Sequence, residues 1–469
     1  MNSNALKHIS ECFIKPKYSV DDSISPYYLT PWNLSMLSAH YIQKGLLFAK
    51  PSDTIDRNYS IDNLIDSLKE SLSVALVHFY PLAGQLSIQT DENRHECLVF
   101  VDCNKGPGAR FIQASLDLTI SDVVSPCYVP PVVHSLFDHD RAVNYDGQVR
   151  PLLSVQVTQL LVGVFIGCSV NHAVVDSTSY WHFWNEWSSI HIAANGDQLL
   201  SASLPTHKRW FPDGHDPVIR LPYTHPNEFI SRYEAPPLKE RFFHFSSRSI
   251  ATLKWRANSD SISSFQALTA FVWKSIVRAS HRPNNELTKC KLAVNNRPRL
   301  DPPRGGPRVG QLGPATKNDW PPLDPPLPLN YFGTSINVLC TSTIVGELLN
   351  HDLGWTASLL HELVANYSSK SIRNEVDQWI ESPVLYTLDM LDGCITMASS
   401  PRFDVYGNEF GLGKAVAVRS GYANKFDGSV TAYPGREGGG SVELEICLPP
   451  DSMSALELDE EFMAATTSH

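Results

Sequence analysis

Asn171-His172-Ala173-Val174-Val175-Asp176 is the stretch on which the reading of this chain turns. It follows a long apolar run and puts a histidine at a strand exit, just before a helix. Leu153-Ser154-Val155-Gln156-Val157-Thr158-Gln159-Leu160-Leu161 partly alternates and is rich in β-branched residues, as a strand requires. Gly163 is expected to make a turn, and Val164-Phe165-Ile166-Gly167-Cys168-Ser169-Val170 reads as a second, buried strand. Residues 177–190 then carry Tyr180, Phe183, Trp184 and Trp187 at helical spacing. A histidine at such a junction can face a cleft while both elements hold it. An imidazole so held can take a proton from an alcohol or amine near neutral pH. Spacing alone is weak. The chain has 17 histidines, and at ordinary Asp usage of roughly one in twenty, about one HxxxD arises by chance. A second one, His134 to Asp138, lies in a charged segment that reads as a solvated surface loop.

The 469 residues suffice for about two to four domains. At 42% hydrophobic and 19% charged residues the chain is an ordinary globular one with ample core. A net charge of −11 argues against general nucleic-acid binding. It leaves room for an anionic co-substrate in a locally basic pocket. The nine cysteines include no CxxC pair, which suits reduced thiols in the cytoplasm and neither a disulfide framework nor a zinc site. His172 with Asp176 alone is too thin a ligand set for a metal. The first twenty residues lack the apolar core of a secretory signal. The longest apolar run, around residues 160–170, is too short to span a bilayer. The last three residues match no familiar targeting tripeptide. A cytoplasmic protein with no membrane contact is expected.

Along the chain, Leu64, Ile65, Leu68, Leu72 and Leu76 mark a helix over residues 62–76, ended by Pro81 and Gly84. Short strands are expected at 98–101, 109–112 and 242–245. Residues 196–237 are irregular and proline-rich, as a crossover between domains would be. Helices are expected over 264–279, with a serine cap and Phe265, Leu268, Val272 and Ile276 on one face, and over 353–367. The division expected is 1–195, a crossover at 196–237, and 238–469. Asp301-Pro302-Pro303 recurs as Asp324-Pro325-Pro326. The Gly/Pro-rich segment between them, 304–323, has too little apolar content to order itself. It reads as a disordered insertion or a retained non-coding segment, with a genuine functional loop as the lesser alternative.

In order, His78-Phe79-Tyr80-Pro81-Leu82-Ala83-Gly84, His172 to Ser177, Asn296-Arg297-Pro298-Arg299, Tyr331-Phe332-Gly333-Thr334 and Glu409-Phe410-Gly411-Leu412-Gly413-Lys414 resemble the ordered motifs of the plant BAHD, or HxxxD-type, acyl-CoA-dependent acyltransferases. Two departures stand out: Ser177 replaces the glycine of HxxxDG, and Glu409 and Leu412 alter DFGWG. The tail, with Ala423 to Gly428 and Tyr433 to Gly440, resembles a branch that includes cutin-related acyltransferases and a salicylate-pathway lyase.

The resemblance implies an α/β fold of two similar chloramphenicol-acetyltransferase-like domains around a central solvent channel. It also implies a monomer without bound cofactor. Its substrates would be acyl-CoA and a small plant-metabolite acceptor. His172 would deprotonate the acceptor hydroxyl or amine and later protonate the departing thiolate. Asp176 would pair with Arg297 rather than orient the histidine, and Glu409, Gly411 and Gly413 would be structural. Ser177 would strain the backbone by about 1–2 kcal/mol if its φ were positive. It would be harmless if it merely opens the helix, and this is the expectation. Thr387, or a backbone N–H near residue 173, is a candidate oxyanion donor. Ser264, Lys254 and Arg278 are candidates for the CoA phosphates. Tyr180, Trp181, Phe183 and Trp184 belong either to an acceptor pocket or, more in keeping with their spacing, to the core. Two rivals are a lyase that releases product from one conjugate without CoA and a non-catalytic relative. In the lyase the motif histidine is lost, so His172 favours transfer.

Overall fold

The structure is a computed structural model that describes residues 5–18, 26–50, 60–194, 204–211, 214–300 and 327–466. The 304–323 segment lies outside the described residues.

The two strands before His172 form an antiparallel hairpin, Leu153–Gln159 with Gly163–Val170. Gly163 is not in the turn, as the sequence suggested, but opens the second strand, and residues 160–162 make the turn. Its lack of a side chain serves a close approach: a Cβ there would lie 2.6 Å from the Phe48 carbonyl oxygen. Around this hairpin runs a six-stranded sheet in the order Lys7–Ile14, Ala109–Ser115, Leu153–Gln159, Gly163–Val170, Ile42–Ala49 and Ala417–Ser420. The last strand comes from the second half of the chain, with Ser420 opposite Lys44. A second six-stranded sheet runs Lys239–Phe245, Val442–Leu448, Ser429–Pro434, Ile395–Ser399, Leu287–Asn295 and Ile336–Ile344. The architecture is mixed α/β with two sheet-containing domains, as expected. A small four-stranded sheet covers one side and takes in Arg220–Leu221, a short strand within the otherwise irregular crossover.

Helix Ile61–His78 buries Leu64, Ile65, Leu68, Leu72 and Leu76. It packs on helix Ser177–Ala194. Tyr180, Trp181, Phe183, Trp184 and Trp187 of that helix are at most 1% exposed and share the core with Val418, Phe410 and Tyr433 from the second half. They are core, not an acceptor pocket. Burying a side chain such as Phe contributes about 1.5–3 kcal/mol, so these rings also weld the two halves together.

The charged segment at residues 131–140 departs from expectation. His134 lies in a 3-10 turn, Pro131–Leu136, that buries Val133 and Leu136. Its ring is partly buried, with Nε2 3.1 Å from Glu240 Oε1. Hydrophobic residues flanking the charges, invisible to a charge count, pull the segment inward. No described helix is long and apolar enough to cross a membrane.

Candidate active site

The site grows from the turn between strand Gly163–Val170 and helix Ser177–Ala194. Asn171 Oδ1 accepts from the Ala173 N–H at 3.1 Å, and the Asn171 carbonyl accepts from the Val174 N–H at 3.0 Å. Asn side chains favour such local turns, so the strand ends here and His172 projects from a tight bend. Asp176 then caps the helix: its Oδ1 accepts from the Ser179 N–H at 2.9 Å, and its carbonyl from the Tyr180 N–H at 2.8 Å. Ser177 is the first helical residue and is absent from the positive-φ positions. The serine therefore sits in ordinary helical backbone, without strain.

His172 is held through its main chain from both halves. Its N–H donates to Asn144 Oδ1 at 2.6 Å, and its carbonyl accepts from Thr334 Oγ1 at 2.8 Å. Next to it, the Ala173 carbonyl accepts from Asn33 Nδ2 at 2.7 Å. No described side chain bonds the half-buried ring, and its buried Nδ1 has no hydrogen-bond partner of ordinary geometry. Burial holds the imidazole pKa below its ordinary 6.5, with the Lys44 charge acting in the same direction. The main chain of His172 and Val175 and the Asp176 charge pull the other way.

Asp176 turns to Arg297, not to the imidazole. Arg297 Nη1 lies 2.6 Å from Asp176 Oδ2, and Nη2 lies 3.2 Å from Oδ1. The Ser335 N–H donates to Oδ2 at 2.9 Å. Arg297 also donates to the carbonyls of Tyr331 and Gly333 and to Ser179 Oγ and Asn295 Oδ1. Both side chains are fully buried. One ion pair thus ties the helix cap of the first half to the Asn296-Arg297 and Tyr331-Phe332-Gly333-Thr334 elements of the second.

Thr387 precedes a 3-10 turn, Leu388–Met390, and its hydroxyl is buried without a partner. The neighbouring Tyr386 N–H donates to the Ser35 carbonyl at 2.7 Å, in the segment that carries Asn33. The other candidate donor, the Ala173 N–H, is committed to Asn171. Buried oxygens of Ser335 and Asn296, next to Thr334 and Arg297, also lack partners.

The cation candidates lie elsewhere, on the second half. Lys254 donates to the Ser259 carbonyl. Arg278 is not a free cation: its Nε lies 2.7 Å from Asp459 Oδ2 and its Nη2 3.0 Å from Glu461 Oε2. The helix Ser264–Ala279 is capped by Ser263, which accepts from the Gln266 N–H at 3.1 Å. Ser264 is exposed in its first turn.

Residues 409–413 form a turn that packs on helix Ser177–Ala194 through Phe410. Phe410, Gly411 and Gly413 have φ of 47°, 70° and 78°. Glycine adopts such angles freely, whereas Phe410 is held there by packing. It is fully buried, with its ring 5.6 Å from Trp184 and 4.8 Å from Trp187. Glu409 is exposed and Leu412 partly buried. Phe410→Ala is expected to destabilise the protein by about 3–5 kcal/mol without changing the KM for either substrate. Thermal unfolding beside steady-state kinetics checks this.

Sequence reasoning missed Asn144, Asn33 and Lys44. The first two lie in short helices, Pro31–Leu34 and the 3-10 helix Asn144–Gln148, with no motif around them. Lys44 is a charged residue in a strand, a signal that would have drawn notice had its burial been foreseen.

The Transferase family profile matches residues 7–312 and 321–463. The break falls inside the 304–323 segment. An uncharacterized acetyltransferase of Arabidopsis thaliana is 32% identical, over 97% of this chain and 98% of its own. The BAHD acyltransferase DCR of the same plant is 31% identical, over 98% and 92%. Shikimate O-hydroxycinnamoyltransferase of Nicotiana tabacum is 27% identical, over 87% and 91%. Among solved structures, TRI101 of F. graminearum complexed with ethyl coenzyme A is similar in fold, with a TM-score of 0.69. It is 17% identical, with 94% of this chain and 98% of that one covered.

Proposed function

Because the chain belongs to the Transferase family of BAHD acyltransferases, we propose that it moves an acyl group from acyl-CoA to a hydroxyl or amine of a small metabolite, with His172 as general base. The observation that carries this reading is the way His172 is held. Both halves grip its main chain, Asp176 is drawn off to Arg297, and no described side chain engages the imidazole. A proton acceptor needs that freedom and that rigidity together. The imidazole takes the nucleophile's proton as the nucleophile attacks the thioester carbonyl. It returns the proton to sulfur as the tetrahedral intermediate collapses and CoA leaves. Thr387 is the proposed hydrogen-bond donor to the oxyanion, since its buried hydroxyl has no other partner.

Lys254 and Ser264 are the proposed contacts for CoA phosphates. Lys254 would exchange a carbonyl for a phosphate, and Ser264 opens a long helix whose N-terminal end favours anions. Arg278 can join them only by giving up Asp459 and Glu461, and its Ala variant is expected to change the KM for acyl-CoA less than Lys254→Ala does. Relatives that act on shikimate and coenzyme A complexes of similar folds support the substrate classes.

The test is CoA-thiol release with acetyl-, malonyl-, benzoyl-, hydroxycinnamoyl- and fatty acyl-CoA against a panel of alcohols and amines. Acceptor-dependent release that vanishes in His172→Ala is the expected result. Breakdown of a single conjugate without CoA would overturn it in favour of a lyase. The pH profile has a definite sign. The working form of the base is neutral, and burial lowers its pKa. The acid limb of kcat/KM is therefore expected below the ordinary 6.5, with full activity retained at neutral pH. An acid limb centred above that value would contradict the assignment.

A further inference from the structure

Lys44 is a buried cation that the mechanism above does not use. It lies in strand Ile42–Ala49, opposite Cys168 in the strand that leads to His172, with Ile42 opposite Val170. Side chains two apart on a strand share a face. Ile42, Cys168 and Val170 lie in one core cluster with the Ser177–Ala194 helix, so Lys44 points to the same side, two rungs before the histidine. Its charge is felt at the imidazole.

Lys44 is only 9% exposed. Its one described hydrogen bond runs from Nζ to Tyr433 Oη, at 2.8 Å, and its ammonium lies 4.7 Å from the centre of that ring. An ammonium carries three N–H donors, so two find no acceptor among the described residues. No described ion pair includes Lys44. The carboxylate whose charge acts on it, Glu445, is engaged by Ser420 Oγ at 2.7 Å, by Lys425 Nζ at 3.1 Å and by Tyr433 Oη at 3.3 Å. Lys425 shows the contrast: it is equally buried, but bridges Glu240 and Glu445. A buried charge is normally paired, because leaving one unpaired is costly. Arg419, also buried and in no described ion pair, lies over the Phe242 ring at 4.4 Å and donates to the Val418 carbonyl; of these two cations, Lys44 is the one whose charge reaches the imidazole.

We infer that Lys44 seats an anionic group of the acceptor, a carboxylate, while the acceptor's hydroxyl or amine lies on His172. This rests on the transferase reading and narrows it to hydroxy acids and amino acids. The carboxylate completes the ammonium's hydrogen bonds and its charge balance. The phenol of Tyr433 holds the ammonium in place.

The groups around the ammonium are Tyr433 and Glu445 from the second sheet, Lys425 and Cys447 beyond them, and His172 from the strand end. Burial pushes the amine down to about 8. Preference for an acid over its neutral analogue is therefore expected to fade as pH rises past that value.

The experiment compares matched pairs, anthranilate with anthranilamide, 3-hydroxybenzoate with 3-hydroxybenzamide, and shikimate with its methyl ester. Equilibrium binding and CoA-thiol release are both measured, with the native chain, Lys44→Met and Lys44→Arg. Losing a hydrogen bond to a charged group typically costs about ten- to a hundredfold in affinity. At least one acid is expected to exceed its neutral partner in binding and in kcat/KM by about that factor. The preference should vanish in Lys44→Met and survive in Lys44→Arg. Equal treatment of acids and neutral partners by the native chain overturns the proposal, and this arm needs no variant to fold. So does a Lys44→Met variant that loses turnover equally with both, which would mark a lysine that only tunes the imidazole. Acid-selective binding without CoA release from any donor would sink the transferase reading and leave the Lys44 site standing. Release without acid preference would do the reverse.

Discussion

His172→Ala is expected to lower acyl transfer by about 10²–10⁴-fold and to leave the melting temperature nearly unchanged. The two halves of this expectation have separate causes. The rate falls because no other base is in place. Asp176 is saturated by Arg297 Nη1 and Nη2 and by two backbone N–H groups, and the Lys44 ammonium is a cation below about pH 8. Stability holds because the bonds at this position are made by the main chain, to Asn144 and Thr334. Alanine keeps both, and it removes a buried Nδ1 that had no partner. Kinetics beside differential scanning calorimetry would check the pair of claims. A variant that loses both activity and several degrees of stability would show that the ring itself holds the turn together.

Asp176→Ala is expected to do the opposite, costing about 3–5 kcal/mol of stability. It strands the Arg297 guanidinium, fully buried, with only neutral oxygens for partners. It also removes a helix cap, a loss of about 0.5–2 kcal/mol by itself. Asp176→Asn separates the two effects, since an amide oxygen can still accept from the Ser179 N–H while the charge is gone. Most of the loss is expected to persist in Asp176→Asn, because an unpaired buried charge costs more than a missing cap. Denaturant titration of both variants measures it. A stable Asp176→Ala protein with reduced turnover would instead return the aspartate to the reaction as a partner of the histidine.

Much of this site is legible in the amino-acid sequence. His172 stands out because periodicity changes on either side of it, from an apolar strand to a helix with aromatics at helical spacing. The same change of period correctly implies that Tyr180, Phe183, Trp184 and Trp187 face a core. Spacing alone does not decide Ser177. The structure makes Asp176 the helix cap, and the next position then needs no unusual φ. The 131–140 segment misleads because its charges are local, whereas the partners that draw it in, Glu240 for His134 and Arg110 for Asp138, lie far along the chain.

The chain's own periodicities determined its strands, its helices and the place of its histidine, because these depend on residues a few positions apart. The direction in which Asp176 points, the grip of Asn144 and Thr334 on the His172 main chain, and the burial of Lys44 beside Tyr433 were decided only by the tertiary structure. Each of these joins residues from 28 to 389 positions apart. Such contacts form where two sheets meet, and a local pattern holds no record of which distant group will fill a buried bond. Charge and hydrogen-bond demand select the partner there, once packing has brought the candidates within reach.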